Sequence, residues 1–240
     1  MPRPAKAAAA ALPAETGESA KISTQQRVLD VSSELFNLYG IEAVSIQQIA
    51  EALHISPGNL TYHYKKKSDL VAEHLAVFET ELNKGIRGYP TSHDPHVQAM
   101  AFNKLLRLTL RYRFLFVGAN FIIQYELAPP ARYAALITRT KRSFAAQIRR
   151  LTAAGVLRRI SPPYSIALLV DSIWTLWIGA ILDAQIKPAG SRPTDEMLVV
   201  DIAIRILFLI YPYTDKPFFD AVHGELQALR KKAQRRIPSV

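Results

Sequence analysis

The sequence predicts an all-α protein with a small N-terminal helix-turn-helix domain and a larger helical C-terminal domain. Three observations carry that expectation. Apolar residues recur at helical spacing along most of the chain, with no convincing strand pattern and no internal repeat. Capping residues and Gly/Pro breakers cut the chain into helix-sized pieces. Residues 45–70, SIQQIAEALHISPGNLTYHYKKKSDL, read as two short helices joined by a tight turn and ending in polar, aromatic and basic side chains. That is how a helix-turn-helix presents a recognition helix to DNA.

Each element follows from local signals. Residues 1–20, MPRPAKAAAAALPAETGESA, hold an alanine run broken by prolines and lack the bulky apolar stretch of a signal peptide, so they read as a disordered tail. A first helix is expected over 25–39, with Val28, Val31, Leu35 and Leu38 as its stripe and Gly40 at its C-terminus. Ser45 and Gln48 form a capping-box pattern that opens a second helix reaching about Leu53, with Ile46, Ile49, Ala50 and Leu53 facing inward. Ser56 caps a third helix and Pro57 takes its first position, where a missing N–H does no harm. Ser68 and Asp69 open a longer fourth helix carrying Leu70, His74, Leu75, Val77, Phe78 and Leu82, and Gly85, Gly88 and Pro90 end it.

The run GYPTSHDP at 88–95 marks the expected domain boundary. The DNA-binding domain is then 21–70, with a connecting helix to about residue 87, and 88–240 form the C-terminal domain. Further helices are expected over roughly 96–111, 113–127, 130–154, 163–186, 194–211 and 216–235.

Composition bounds the function classes. The chain has 240 residues, 49% of them hydrophobic, which indicates a globular protein rather than a disordered one. It contains no cysteine, so disulfides and thiolate chemistry are excluded, and a reducing compartment is consistent with this. The formal net charge of +10 favours acidic partners such as nucleic acid or an anionic membrane surface. Yet residues 21–70 hold five basic and five acidic side chains, while 128–160 hold eight basic and none acidic. Affinity for DNA must therefore rest on placed contacts in the motif, not on bulk charge.

The residues of 24–75 carry a specific resemblance: a first helix ending in Tyr39-Gly40, then Ser45, Ile49-Ala50, Ile55-Ser56, Gly58, Leu60, Tyr62-His63-Tyr64 and Lys67. This segment resembles the N-terminal domain of the TetR/AcrR family of bacterial transcriptional regulators. One subgroup of that family reads SPGNLYYHF where this chain reads SPGNLTYHY. Gly58 lets the start of the recognition helix approach phosphate or a base edge. Asn59 suits bidentate pairing with adenine, or phosphate. Thr61, Tyr62 and His63 fan around the helix, whereas Leu60 and Tyr64 are expected to pack inward. Lys67 is expected to meet a phosphate, and Ser45 and Gln47 are backbone or base-edge candidates. Two departures stand out: Thr61 replaces a usual aromatic residue, implying a different preference at that base step, and His54 replaces a usual turn glycine, which strains the turn if its φ is positive.

In the C-terminal region, 164–186 and 197–211 are unusually apolar, the latter with Asp201 and Arg205 spaced to pair. One recognition helix reads too few base pairs for useful specificity, so paired half-sites are expected. The resemblance implies a homodimer built through the helices near 164–186 and 194–211, and a small-molecule pocket in the middle helices. Candidate pocket residues are Tyr112, Phe116, Asn120, Gln124, Trp174, Trp177 and Ile178, which mix apolar walls with a few polar groups but also describe an ordinary core. Arg132, Arg139, Arg142 and Arg149 share one helix face, read as solvated, or as facing an anionic effector or a partner's acidic residues. The C-terminal KKAQRR reads as a frayed basic tail.

The run 164–186 is the one membrane candidate, but Asp171 and Asp183 lie within it, and an acid at a helix centre costs roughly 3 kcal/mol on insertion scales, so no membrane partner is expected. The chain has no CxxC, HExxH, GxSxG, P-loop or GxGxxG, so no catalytic residue, metal or cofactor is assigned, and His93 with His96 resembles a metal pair only loosely. The expectation is a cytoplasmic, nucleoid-associated repressor with double-stranded operator DNA and an unknown small-molecule effector as partners. Two readings stay open: a helical DNA-binding regulator without an effector, and an all-α enzyme or adaptor that only resembles one.

Overall fold

A computed structural model describes residues 23–235. The expected N-terminal tail and the last residue of KKAQRR lie outside the described residues. Among them the secondary structure is helical, with no strand. The helices are α1 Thr24–Tyr39, α2 Ile46–Ala52, α3 Pro57–His63, α4 Lys67–Arg87, α5 Pro95–Arg111, α6 Phe114–Val117, α7 Ala119–Gln124, α8 Pro130–Ala153, α9 Ile166–Ile186, α10 Asp195–Ile210 and α11 Lys216–Gln234. Short 3-10 turns occupy Ala189–Ser191 and Tyr211–Tyr213. The chain packs into two compact units. One takes the described residues up to Phe78 together with Arg111–Tyr133, and the other takes Glu79–Leu110 with the residues from Ala134 on.

In the first unit, α1 begins where Ser23 Oγ accepts the Gln26 N–H and ends at Gly40, whose φ of 86° lies in the region glycine tolerates. Its buried stripe is Val28, Leu29, Ser32, Ser33, Leu35 and Phe36. Leu38, expected inward, is exposed, because the stripe is centred on Ser32 and Phe36. The helix expected over 113–127 is divided into α6 and α7. At the junction, Ile41 packs so tightly that a Cβ on Gly118 would lie 2.8 Å from its Cγ2. Helix α4 starts at Lys67, where the Asp69 carboxylate accepts the Lys66 N–H. It runs through Gly85 to Arg87, with Gly88 next. Gly85 stays helical and admits Leu105 Cδ1 at 3.1 Å from where a Cβ would sit.

His74 of α4 ties the first unit together. Its Nε2 lies 2.8 Å from Ser32 Oγ, whose hydroxyl also donates to the Leu29 carbonyl. One arrangement satisfies both: Nε2–H donates to Ser32 and Nδ1 is a bare acceptor. The rings of Phe36, Tyr112 and Phe114 surround the imidazole. Burial first, and then the Arg111 guanidinium, hold its pKa down at about 3. The folded pKa is depressed, so between about pH 6.5 and 3 the unfolded chain binds a proton that the folded chain does not.

In the second unit, α8 ends at Gly155, with φ of 76°, and the loop returns Val156 and Leu157 to the core. Ile148, Leu157, Leu169 and Val170 form one buried cluster there. Asp201 does not pair with Arg205 as its spacing suggested. It faces α11 and lies 3.1 Å from Arg230 Nε, while Arg205 is exposed. The arginines of α8 are not a uniformly free face. Arg139 is paired in bidentate fashion with Glu79, and Arg132 donates to the Ala72 carbonyl, leaving Arg142 and Arg149 exposed. Lys231 to Gln234, expected to fray, are the last turn of α11.

Acidification should unfold the protein through His74. Its contribution to stability is fully present above about pH 6.5 and falls by up to about 1.4 kcal/mol per pH unit toward pH 3. Chemical denaturation of the wild type and of His74→Leu at pH 7.5 and pH 5 checks this, the variant losing less stability on acidification.

Candidate functional site

The outward face of α3 is the most exposed constellation of polar and aromatic groups that the motif predicted. Helix α2 holds it in place from behind. The Ser45 hydroxyl accepts the Gln48 N–H and the Gln48 side chain accepts the Ser45 N–H, a complete capping box. The chain turns at Leu53 and His54, where His54 takes φ 54°, a left-handed conformation costing roughly 1–2 kcal/mol for a residue with a Cβ. Ile55 N–H returns to the Ala50 carbonyl. Ser56 Oγ then accepts the Asn59 N–H, and Pro57 occupies the first helical position.

Leu60 is fully buried and Tyr64 nearly so, while Gly58, Asn59, Thr61, Tyr62 and His63 are exposed. Tyr62 is 84% exposed. Its ring meets His63 edge to face at 5.3 Å. Thr61 Oγ1 donates to the Gly58 carbonyl, which commits its proton to the helix. A Cβ at Gly58 would meet only Ser56 Oγ, at 4.0 Å. The chain's own packing therefore does not require glycine there.

The other candidates of the motif are engaged differently. Ser45 acts as a cap, and its proton remains available to donate outward. Gln47 is exposed. Lys67 Nζ donates to the Ile41 carbonyl at 2.7 Å and sits 5.8 Å from the centre of the Phe121 ring. Burial lowers its pKa and Glu42 partly opposes this. Two ammonium protons remain for another acceptor. Lys65 and Lys66 are exposed beside it.

The residues proposed for a pocket divide between the units. Tyr112 and Phe116 pack against Phe78 in the first, and Asn120 and Gln124 are exposed there. In the second unit, Trp174 and Trp177 line a cavity of about 460 Å³, counting its open mouth. Ile178, half-buried, is not in that wall. A larger cavity of about 860 Å³, counting its open mouth, adjoins it and shares Phe102, Leu105, Phe144, Ile173 and Ile206. Gln98 and Gln147 are its amide-bearing residues. Sequence reasoning passed over both. The available signal was a glutamine on the apolar stripe of α5 and another on that of α8. Among the described residues, no group of three His, Asp or Glu is placed to hold a metal ion.

Comparison with known proteins gives a consistent likeness. The family model "Bacterial regulatory proteins, tetR family" matches residues 28–74, and the model "Bacterial transcriptional repressor" matches 77–222. The HTH-type transcriptional regulator AcrR of Shigella flexneri is 34% identical over 61 residues, 25% of this chain and 28% of that protein. The HTH-type transcriptional regulator SAB2452 of Staphylococcus aureus is 33% identical over 106 residues, 44% of this chain and 49% of that protein. The chain thus matches half or less of the length of these curated relatives. Two solved structures share the fold. A TetR-family transcriptional regulator from Marinobacter aquaeolei VT8 superposes with a TM-score of 0.66 at 21% identity, covering 88% of this chain and 99% of that one. CprB from S. coelicolor A3(2) gives 0.60 at 13% identity, covering 87% and 97%.

Stability measurements separate capping residues from exposed ones in the motif. Ser45→Ala should lower unfolding free energy by about 1 kcal/mol through loss of the cap. Tyr62→Ala should leave it within about 0.5 kcal/mol, as for an exposed site. Urea titrations of both variants check this.

Proposed function

The chain belongs to the bacterial tetR family of regulatory proteins, and on that footing we propose that it is a homodimeric, ligand-responsive transcriptional repressor that binds a near-palindromic operator. One observation carries the proposal: α3 buries Leu60 and Tyr64 and turns Gly58, Asn59, Thr61, Tyr62 and His63 outward together. In that role Asn59 and His63 read base edges, Tyr62 meets phosphate or thymine methyls, and Gly58 allows close approach. Ser45 and Gln47 add contacts from the start of α2. Lys67 offers its remaining protons to a phosphate. Thr61, with a small side chain and a committed hydroxyl, sets a base preference different from that of relatives with an aromatic residue there. The run SPGNLTYHY supports placing the chain with the SPGNLYYHF subgroup. The proposed domains are 21–70 for DNA, with the connecting helix to about 87, and 88–240 for effector and dimer. The protein would work in the cytoplasm, on the nucleoid.

The dimer face lies on α9 and α10. Leu168, Leu182 and Ile186 of α9 are exposed, Ile186 by 82%, and so are Phe208 of α10 and Tyr211 just beyond it. Such apolar residues in a folded chain point to a covering partner. Helix α9 is long and apolar enough to cross a membrane by length and composition. Asp171, held 2.8 Å from Lys141, and Asp183 argue for a protein partner instead. A second copy supplies that cover and also pairs two recognition helices for adjacent half-sites. The cavities of the second unit suit an effector whose differential affinity shifts the dimer between operator-binding and released forms.

Two measurements test the proposal. In anisotropy titrations with DNA from beside its own gene, Tyr62→Ala with Lys67→Ala should weaken binding at least about fivefold, as loss of contacts worth about 1–3 kcal/mol demands. Unaltered binding would remove these residues from the interface. In sedimentation, Leu168→Glu with Phe208→Glu should turn dimers into monomers and lower operator affinity with them. A variant that stays dimeric would place the interface elsewhere.

A further inference from the structure

We infer that the larger cavity of the second unit takes an uncharged, mostly apolar small molecule carrying one hydrogen-bond acceptor, a carbonyl or ether oxygen, which Gln147 Nε2 engages. As the effector of a repressor, this molecule rests on the function proposed above; as a ligand of the cavity, it rests on the lining alone.

No lining residue carries a charge at neutral pH. Tyr89 is the one ionisable member, and burial pushes its phenol well above the usual range, so it stays neutral. A charged ligand would find no counter-charge there and would lose its hydration on entry. The hydrogen-bond donors of the wall are nearly all spent. Tyr89 donates to the Gln98 carbonyl, and Gln98 Nε2 donates to the carbonyls of Pro90 and Ser92.

Gln147 is the exception. Its Oε1 accepts from Arg150 Nη1 at 2.9 Å, and the same guanidinium nitrogen also donates to the Arg87 carbonyl. An arginine has only donors, so this contact fixes which end of the amide faces it. The NH2 end is turned the other way, buried and without an acceptor. Buried donors in native proteins are almost always satisfied, and Gln147 belongs to the cavity wall, so a turn of its side chain brings this donor to an acceptor held there. The larger cavity adjoins the smaller one along Phe102, Leu105, Phe144, Ile173 and Ile206. Their shared apolar wall lets a chain or ring run from Gln147 toward Trp174 and Trp177.

The two tryptophans of the chain both line the smaller cavity, so intrinsic fluorescence reports occupancy. The probes are methyl decanoate, decanoate at pH 8 and 1-decene, titrated into the full-length protein. Methyl decanoate should bind saturably, and decanoate should bind at least about tenfold more weakly because its charge must be desolvated. Gln147→Leu should weaken methyl decanoate about tenfold and leave 1-decene unchanged, as loss of one hydrogen bond requires. Equal affinity for ester and carboxylate, or no saturable ester binding, would overturn the inference without recourse to any variant. So would a Gln147→Leu protein that keeps the ester's advantage over the alkene. Operator affinity measured on the same preparation keeps the two claims apart. DNA binding with no ester binding sinks the ligand class alone, and selective ester binding with no DNA binding sinks the repressor reading alone.

Discussion

The helix-turn-helix of this protein depends on the burial of two side chains beneath a helix of seven residues. A helix that short does not persist in water, because nucleation costs more than its few hydrogen bonds return. Helix α3 exists because Leu60 and Tyr64 are anchored in the first unit, and because Ser56 and Pro57 preset its first turn. Leu60 contributes about 1.5–3 kcal/mol of apolar burial, and Tyr64 adds the burial of its ring. The outward set from Gly58 to His63 inherits its direction from those anchors, since residues on one turn of a helix cannot all face inward. The capping box at Ser45 and the close Ile41–Gly118 contact serve the same end one shell further out.

His74 shows how the first unit buys rigidity with a polar group. The imidazole is buried among aromatic rings, held to Ser32, and kept neutral by its surroundings. A buried polar link of this kind stays favourable only while its partners remain in place, so it favours one arrangement of α1 against α4 over looser ones. His54 works in the opposite sense. Its positive φ stores strain in the turn between α2 and α3, where a glycine would store none.

The second unit is governed by an excess of apolar surface. Helix α9 and helix α10 carry large apolar residues on more faces than one chain can cover. Two consequences follow from that single property. Inward, bulky side chains from α5, α8, α9 and α10 meet around space they do not fill, and the neutral cavities result. Outward, Leu168, Ile186 and Phe208 remain for another molecule to cover. The basic excess of α8 is drawn partly inward to its own chain, as the Arg139–Glu79 pair illustrates.

Local chemistry was legible in the sequence because it needs only near neighbours. The all-α class, the caps at Ser45 and Ser56, the inward Leu60 and Tyr64, and the glycine end of α1 each follow from a few adjacent residues. The tertiary structure decided what depends on distant ones. Gly85 lies inside α4, and Leu105 of α5 packs where its side chain would be. Residues 113–127 read as one helix, yet they form α6 and α7, with Ile41 packed against Gly118 at the junction. Asp201 is spaced for Arg205, yet it meets Arg230. The free amide of Gln147 depends on Arg150 holding its oxygen and on the cavity wall it belongs to, and neither shows in a linear pattern. Spacing along the chain reports which face a residue occupies; what stands opposite that face is settled only when the helices are packed.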